Sequence, residues 1–241
     1  MPKKSLSKKV VPLKETHVDL SWKRYIVQPI ANIHREGLKI LAVMFAGAIV
    51  LGLFSNYFWL LTTPLLLFGV YFFRNPDRVS PDNPSAVLAP ADGIVSNIKK
   101  MVPPKELDLG DAPLTRISIF MSVFSVHVNR APVSGVVHKL HYRPGKFVSV
   151  QDKDSEDNER QEISVIMADG TKVGFVQIAG LVARRIYCPL KLGQRLTAGQ
   201  VFGLIRFGSR LDVYLPAGVE PMVWIGQTAV AGETIIAELK K

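Results

Sequence analysis

The sequence predicts a mainly β fold, an antiparallel β domain preceded by an N-terminal membrane hairpin of two helices. Two observations carry this prediction. Residues 38–73 are apolar and almost uncharged, whereas residues 86–241 alternate short β-type runs with Gly, Pro and Asp. A chain of 241 residues is long enough to bury a sizeable core. Its only cysteine is Cys188, which excludes an internal disulfide.

The apolar stretch consists of two runs, 38–54 and 57–73, with Lys39 as their single charge. As helices, the runs would each reach ~25 Å, slightly less than the ~30 Å of a bilayer core. Only Ser55 and Asn56 separate them. They form either a tight hairpin or one long bent element lying partly in the interface. We favour the hairpin because Lys and Arg flank both ends, and the positive-inside rule then places both flanks in the cytoplasm.

The formal net charge is +10, and the mean hydropathy is +0.19. Beside an apolar hairpin, this charge predicts an anionic membrane surface as a partner. No helix-turn-helix, finger or aromatic RNA-binding signature supports nucleic acid as a partner. We predict four parts, which are a basic leader, the membrane hairpin, a Pro- and Asp-rich linker and the β domain, at residues 1–37, 38–73, 74–85 and 86–241.

Within the β domain, Asp169-Gly170 lies between two alternating runs and predicts a hairpin turn. The acidic stretch 151–162 has six acidic residues and no apolar residue, and predicts a solvated, mobile loop. Strands are predicted in the segments 93–98, 116–129, 135–142, 162–180, 200–205, 210–216 and 223–226.

The pair Gly208-Ser209 interrupts the alternation of residues 203–216. A bulge or turn explains it, since glycine adopts unusual backbone angles. The chemical alternative is attack of the Ser209 hydroxyl on the preceding carbonyl, which gives an ester by an N-to-O shift. Elimination then leaves dehydroalanine, and hydrolysis of this product gives a pyruvoyl group and ammonia. This chemistry needs a base, oxyanion donors and a backbone held in a reactive geometry.

Two further residues have ordinary explanations when each is taken alone. His127 lies among apolar residues on a predicted strand, where a core histidine is common. Asp92 precedes Gly93, and this pair is typical of a turn. The residues by themselves leave both interpretations open.

These motifs, in their order, resemble the phosphatidylserine decarboxylases, and most closely their short bacterial and archaeal form. The resemblance covers about residues 70–241 and favours the chemical interpretation of Gly208-Ser209 over the bulge. The family's core is similar to biotinyl and lipoyl hammerhead folds, and the turn rhythm of residues 189–205 fits such a fold. The motifs are FFRNP, PADG, SVFSVHVNRAPVSG, YRPGKF, NER, QIAGLVARRI and RFGSRLDVYLP.

The resemblance implies a self-processing carboxy-lyase of phospholipid biosynthesis. The precursor cuts itself between Gly208 and Ser209 into a large chain, 1–208, and a small chain, 209–241, which form a heterodimer. Ser209 becomes a pyruvoyl group that forms a Schiff base with phosphatidylserine, and the products are phosphatidylethanolamine and CO₂. No external cofactor and no metal are expected. The expected location is the cell (inner) membrane, with the catalytic domain on the cytoplasmic face.

The resemblance also implies residue roles. His127 is expected to do acid/base work, including protonation of the substrate Cα, and Asp92 is expected to help self-cleavage by orienting a base. Longer relatives carry a second histidine three residues after the first, where this chain has Arg130. Arginine cannot be a general base. Either His127 serves both steps, or the short form activates Ser209 differently.

Arg184 and Arg185 suit a lipid phosphate, since paired guanidinium groups near an active site bind that anion. A solvated basic strand end explains them equally well. By resemblance, residues 157–160 are expected to form a lid over the site. The alternative function is a membrane-anchored, lipoyl-like binding or scaffold module without catalysis. A serine hydrolase ranks third, because no G-x-S-x-G elbow surrounds Ser209.

Overall fold

The computed structural model describes residues 32–146, 157–180, 185–206 and 208–239. In these ranges the chain forms a pair of helices followed by antiparallel β-structure, which confirms the predicted fold class. The similarity to biotinyl and lipoyl folds stays a prediction, as do the boundaries of the four predicted parts.

The two helices are α1, Arg35–Phe54, and α2, Tyr57–Phe72. Their outer ends meet, because the backbone N–H of His34 donates to the carbonyl of Phe73 at 2.9 Å. The pair therefore returns to its starting side, as the hairpin interpretation predicts. With 20 residues, α1 is long and apolar enough to cross a membrane, whereas α2 has 16 residues and is shorter.

The strands of the described residues follow the helices in chain order. They are β1 (Ala86–Leu88), β2 (Gly93–Met101), β3 (Leu114–Met121), β4 (Val128–Arg130), β5 (Gly135–Arg143), β6 (Arg160–Ile166), β7 (Lys172–Ala179), β8 (Ile186–Tyr187), β9 (Arg195–Leu196), β10 (Val201–Ile205), β11 (Ser209–Tyr214), β12 (Thr228–Ala229) and β13 (Ile235–Glu238). The main sheet has eight strands in the order β12-β2-β3-β11-β7-β6-β5-β9. A three-stranded sheet, β4-β10-β8, and the pair β1-β13 complete the β-structure.

Strand β11 lies in the middle of the main sheet, and all six of its residues pair with both β3 and β7. Its residues alternate between two faces. Leu211 and Val213 belong to the main hydrophobic core, whereas Arg210 and Asp212 line the opposite side, which we call the outer face. The connection between β2 and β3 packs on this outer face through the short 3-10 helix Lys105–Leu107.

Local turn chemistry decides two of the predicted elements. The hairpin turn at Asp169-Gly170 is confirmed, since β6 and β7 pair across it and Gly170 has φ 85°. The strand predicted at residues 223–226 is wrong. Gly226 has φ 90° and turns the chain there, which leaves the Trp224 side chain three-quarters exposed.

Candidate active site

The Gly208-Ser209 pair marks the start of the central strand. Gly208 has φ 50°, in the left-handed region that side chains rarely adopt, and a Cβ built there would contact nothing within 4 Å. Glycine is therefore needed for its backbone angles and not for space. Ser209 is the first residue of β11 and is fully buried, with Met121 and Ala179 as its partners in register on either side. A left-handed turn thus leads directly into a backbone that two neighbouring strands hold.

The Ser209 hydroxyl points to the sulfur of Met121, which lies beside two buried amide side chains. Its Oγ lies 4.0 Å from the Met121 sulfur, and Asn129 Nδ2 lies 3.7 Å from the same sulfur. Gln177 Nε2 donates to Asn129 Oδ1 at 2.8 Å. A thioether is a weak acceptor. The hydroxyl is consequently held in place without a strong hydrogen bond that an attack on the preceding carbonyl would have to break.

The segment predicted as a mobile loop supports the strand beside Ser209. Asn158 Nδ2 donates to the carbonyl of Ala179 at 2.8 Å, and the Ala179 N–H donates to the carbonyl of Glu159 at 2.9 Å. Both Asn158 and Glu159 are buried. The prediction of a mobile loop is wrong for residues 158–162, because Arg160–Glu162 pair in strand β6 and Asn158 and Glu159 make buried contacts with Ala179. Residues 151–156 lie outside the described residues.

His127 occupies an apolar pocket at the same end of the main sheet. It directly precedes β4, so the prediction that it lies within a strand is wrong by one residue. Its carbonyl accepts a hydrogen bond from the N–H of Ile205 at 3.3 Å. The ring is fully buried, and neither ring nitrogen has a hydrogen-bond partner among the described residues. It stacks on the ring of Phe72 with centroids 3.9 Å apart.

This pocket determines the protonation state of His127. Burial, with a smaller contribution from the charge of Arg74, lowers its pKa to about 4 in spite of the backbone of Ser125, which acts in the opposite direction. The imidazole is therefore neutral near pH 7 and can accept a proton. Phe72 is the last residue of α2, so the apolar hairpin itself supplies one wall of the pocket.

The residues after α2 fasten the hairpin to the same loop. Phe72 and Phe73 pack with Val126 and Val128, which flank His127 in the chain. The Arg74 guanidinium donates to the carbonyls of Tyr71 at 2.6 Å and Phe124 at 2.9 Å, and it lies 3.7 Å from the Tyr71 ring centroid. Phe72 and Arg74 both belong to the FFRNP motif, but neither was given a separate role from the sequence.

Asp92 sits in a charged cluster. Arg78 donates to its Oδ2 at 2.7 Å, and the N–H of Ala231 donates to its Oδ1 at 2.8 Å. Burial raises the pKa of Asp92, while the charge of Arg78 and the Ala231 hydrogen bond limit the rise. Within the described residues, its carboxylate makes no hydrogen bond to Ser209 or His127. The structure thus brings Asp92 to this end of the sheet but not into contact with either group.

The arginines have separate surroundings. Arg130 donates to the carbonyls of Gly199 and Pro76 and to Asn75 Oδ1 at 2.9–3.0 Å, and so joins the linker to the β domain. Arg184 lies outside the described residues. Arg185 is exposed, and its charge acts on Glu36 and Tyr142. A shared phosphate site of Arg184 and Arg185 stays a prediction.

Fold and site together define a β protein that carries an apolar helical hairpin and has a buried serine after a left-handed glycine, with a neutral histidine at the same sheet end. The family model described as phosphatidylserine decarboxylase matches residues 65–237 of this chain. The chain belongs to the phosphatidylserine decarboxylase family and is a decarboxylase, that is, a carboxy-lyase.

Relatives in three bacteria match almost the whole chain, and each is named phosphatidylserine decarboxylase proenzyme. The protein of Paramagnetospirillum magneticum is 52% identical over 221 residues, covering 91% of this chain and 91% of its own length. That of Ruegeria pomeroyi is 53% identical over 209 residues, with coverages of 86% and 95%. That of Cereibacter sphaeroides is 51% identical over 218 residues, with coverages of 87% and 91%.

Proposed function

We propose that this chain is a precursor that cuts itself between Gly208 and Ser209 and then converts phosphatidylserine to phosphatidylethanolamine and CO₂. Family membership supports the decarboxylation. The observation that carries the self-processing is the junction itself, where a glycine with φ 50° precedes a fully buried serine. The word proenzyme in the names of the relatives agrees with a processed chain.

The surroundings of Ser209 fit a pyruvoyl group. The side chain points toward the core, where its register neighbours Met121 and Ala179 are apolar and buried. Such a group, once formed, supplies a ketone that condenses with the substrate amine and takes up electrons as CO₂ leaves. Strands β3 and β7 continue to hold β11 after a cut at its first residue. We therefore expect the chains 1–208 and 209–241 to remain a heterodimer.

His127 moves the proton in both steps of this proposal. Its neutral imidazole accepts the proton of Ser209 Oγ during self-cleavage, and it later delivers a proton to the substrate Cα. Arg130 replaces the second histidine of longer relatives, and its guanidinium is engaged by Gly199, Asn75 and Pro76. A single residue serving both steps is the simpler of the two explanations that the sequence leaves open.

In this proposal, Asp92 acts indirectly, through the residues that it holds in place. Its carboxylate holds Arg78 and the Ala231 N–H, which fixes the segment after β12 beside the start of β2. Arg74 is electrostatically coupled to both Asp92 and His127. Asp92 therefore positions the charged surroundings of the base and does not touch it.

The hairpin suits a substrate that resides in a bilayer. A phospholipid with two acyl chains costs about 0.8 kcal/mol per CH₂ to extract, so a site at the membrane surface avoids that cost. Phe72 joins the end of α2 to His127, which brings the proposed base next to the apolar element. With basic residues at both flanks of the hairpin, we propose the cytoplasmic face of the cell membrane as its location.

The intact mass of the purified protein under denaturing conditions tests the proposal. We expect two fragments, with the one that starts at position 209 lighter by one ammonia than a serine-ended peptide. Ser209→Ala should remain uncut. Ser118→Ala is the matched control, because Ser118 is also fully buried, on the adjacent strand β3. A single uncut chain from active membranes would contradict self-processing, and an inactive uncut chain would favour the membrane-anchored binding module.

A further inference from the structure

Three potential metal ligands converge on the outer face of the main sheet. Glu106 comes from the 3-10 helix, His141 from β5 and Glu162 from β6. One ligand atom from each residue lies within 4.8 Å of those of the other two. His141 and Glu162 are direct cross-strand partners. The cluster lies on the side of the sheet opposite the core, because the next residue, Ile163, is in the core cluster.

Glu162 is the member that indicates a bound ligand. Its side chain is 1% exposed, and its Oε2 lies 2.9 Å from His141 Nδ1. Its Oε1 is buried and has no hydrogen-bond partner among the described residues. An unpartnered buried carboxylate oxygen is costly. Glu106 and Glu162 both line a cavity of about 310 Å³ that opens to solvent, through which an ion can enter.

A second histidine on strand β5, His138, also pairs with a carboxylate, but there a lysine supplies a positive charge that the cluster of Glu106, His141 and Glu162 lacks. His138 Nε2 lies 2.8 Å from Asp108 Oδ2, and Lys172 Nζ lies 2.8 Å from the same oxygen. Lys172 and His138 lower the pKa of Asp108 to about 2. There, a lysine supplies the positive charge. At the cluster of Glu106, His141 and Glu162 the corresponding third group is a second carboxylate.

Two arginines lie on the same strands as the cluster, and one of them interacts with Glu162. Arg143 and Arg160 form the next cross-strand pair, and Glu162 is electrostatically coupled to Arg160. Arg160 also interacts with Asp212, and its Nε donates to the carbonyl of Asn158 at 3.3 Å. Glu162 Oε1 remains without a hydrogen bond beside these arginines, so they do not replace a ligand there.

We propose that Glu106, His141 and Glu162 bind one divalent metal ion of the Zn²⁺ class. An imidazole nitrogen and two carboxylate oxygens are ligands that zinc accepts, and water completes the tetrahedron. The ion fastens the 3-10 helix over β5 and β6. The site is separate from the Ser209 side of the sheet and independent of the proposed function. It departs from the expectation of no metal, because ligands at positions 106, 141 and 162 share no recognisable sequence spacing.

Calorimetric titration of the tag-free, detergent-solubilised, EDTA-treated full chain with ZnCl₂ tests the site. We expect one saturable Zn²⁺ per chain and a higher unfolding temperature with Zn²⁺. Glu106→Gln, at an exposed residue, and His141→Ala should abolish both effects. His138→Ala is the matched control and should keep both.

Three results would overturn the proposal. One is the lack of saturable Zn²⁺ binding in the unaltered chain, and a second is unchanged binding in Glu106→Gln and His141→Ala. The third is an equal loss in His138→Ala. The unfolding temperature without metal shows whether each variant folds. If His141→Ala does not fold, Glu106→Gln alone decides the outcome.

Discussion

His127 and Asp92 lie at the same end of the main sheet, where β3 ends and β2 and β11 begin, but in opposite surroundings. His127 is enclosed by apolar groups and has no hydrogen-bond partner on its ring within the described residues. Asp92 is held by Arg78 and a backbone N–H. Burial shifts both pKa values toward the neutral form, downward for His127 and upward for Asp92. Only Asp92 has a neighbouring charge that opposes the shift.

In the proposed mechanism, this difference separates His127, which exchanges protons, from Asp92, which holds neighbouring groups in place. A neutral imidazole whose ring makes no hydrogen bond has none to break when it takes up a proton, and the cost is that of placing a charge in its apolar pocket. A carboxylate that is already paired with a guanidinium would have to give up that ion pair before it could accept a proton. We therefore expect changes at His127 to affect the chemistry most and changes at Asp92 to affect stability most.

The largest effect is expected from His127→Ala. In the fraction of the protein that is processed, decarboxylation should fall by roughly 10²–10⁴, the usual contribution of a general acid–base group. Self-cleavage should fail as well, because Arg130 cannot act as the base. Intact mass measures the first step, and CO₂ release measures the second in any processed protein. His138→Ala, at a surface histidine, is the control. Complete cleavage with lost decarboxylation would remove His127 from the first step.

Phe72→Ala should make the surroundings of His127 more like those of Asp92. Loss of a buried ring costs about 3–5 kcal/mol in unfolding free energy. Water then reaches His127, so its pKa rises from about 4 toward 6.5. Because the proposed base of self-cleavage must be neutral, the acid limb of the pH–rate profile of self-cleavage should move to higher pH.

The matched control for Phe72→Ala is Phe73→Ala. Phe73 is buried in the same cluster, and the ring stacked on His127 is that of Phe72. Phe73→Ala should lower stability without moving the acid limb. An unchanged acid limb in Phe72→Ala would show that the aromatic ring does not set the pKa of His127.

A smaller effect, on stability, is expected from Asp92→Asn. The asparagine keeps an acceptor for the Ala231 N–H but loses the charge that pairs with Arg78 at 2.7 Å. Loss of a hydrogen bond to a charged group costs about 1.5–3 kcal/mol. Denaturant unfolding measures this loss, with Asp82→Asn at an exposed position as the control. Self-cleavage should slow while the acid limb stays in place. A moved acid limb would mean that Asp92 acts directly on His127.

The smallest effect is expected from Arg185→Ala. This exposed residue serves as a comparison for the buried surroundings of His127 and Asp92. Arg185 is exposed, so a contact with a lipid phosphate there contributes at most about 1 kcal/mol, or roughly fivefold in KM. Kinetics with a short-chain phosphatidylserine measure it, and Lys191→Ala at another exposed cation is the control. An unchanged KM would leave Arg185 as a solvated basic residue.

Sequence by itself determined the elements whose cause is local. Two apolar runs separated by Ser55-Asn56 predict the hairpin, and Asp169-Gly170 predicts the turn between β6 and β7, because short-range sterics and hydropathy decide both. Ordered motifs also singled out Gly208, Ser209, His127 and Asp92 for their chemistry. Local pattern failed at residues 158–162 and 223–226, where distant partners and a left-handed glycine decided the outcome.

Only the tertiary structure decided what surrounds each of these residues. The ring of Phe72, 55 positions before His127, stacks on the imidazole and covers it from water. Arg78 and Ala231 reach Asp92 from either side in the chain, and Glu106, His141 and Glu162 meet from three separate elements. A pKa or a ligand site depends on distances between side chains far apart in sequence. Strand register and helix docking fix those distances, and no local motif encodes them.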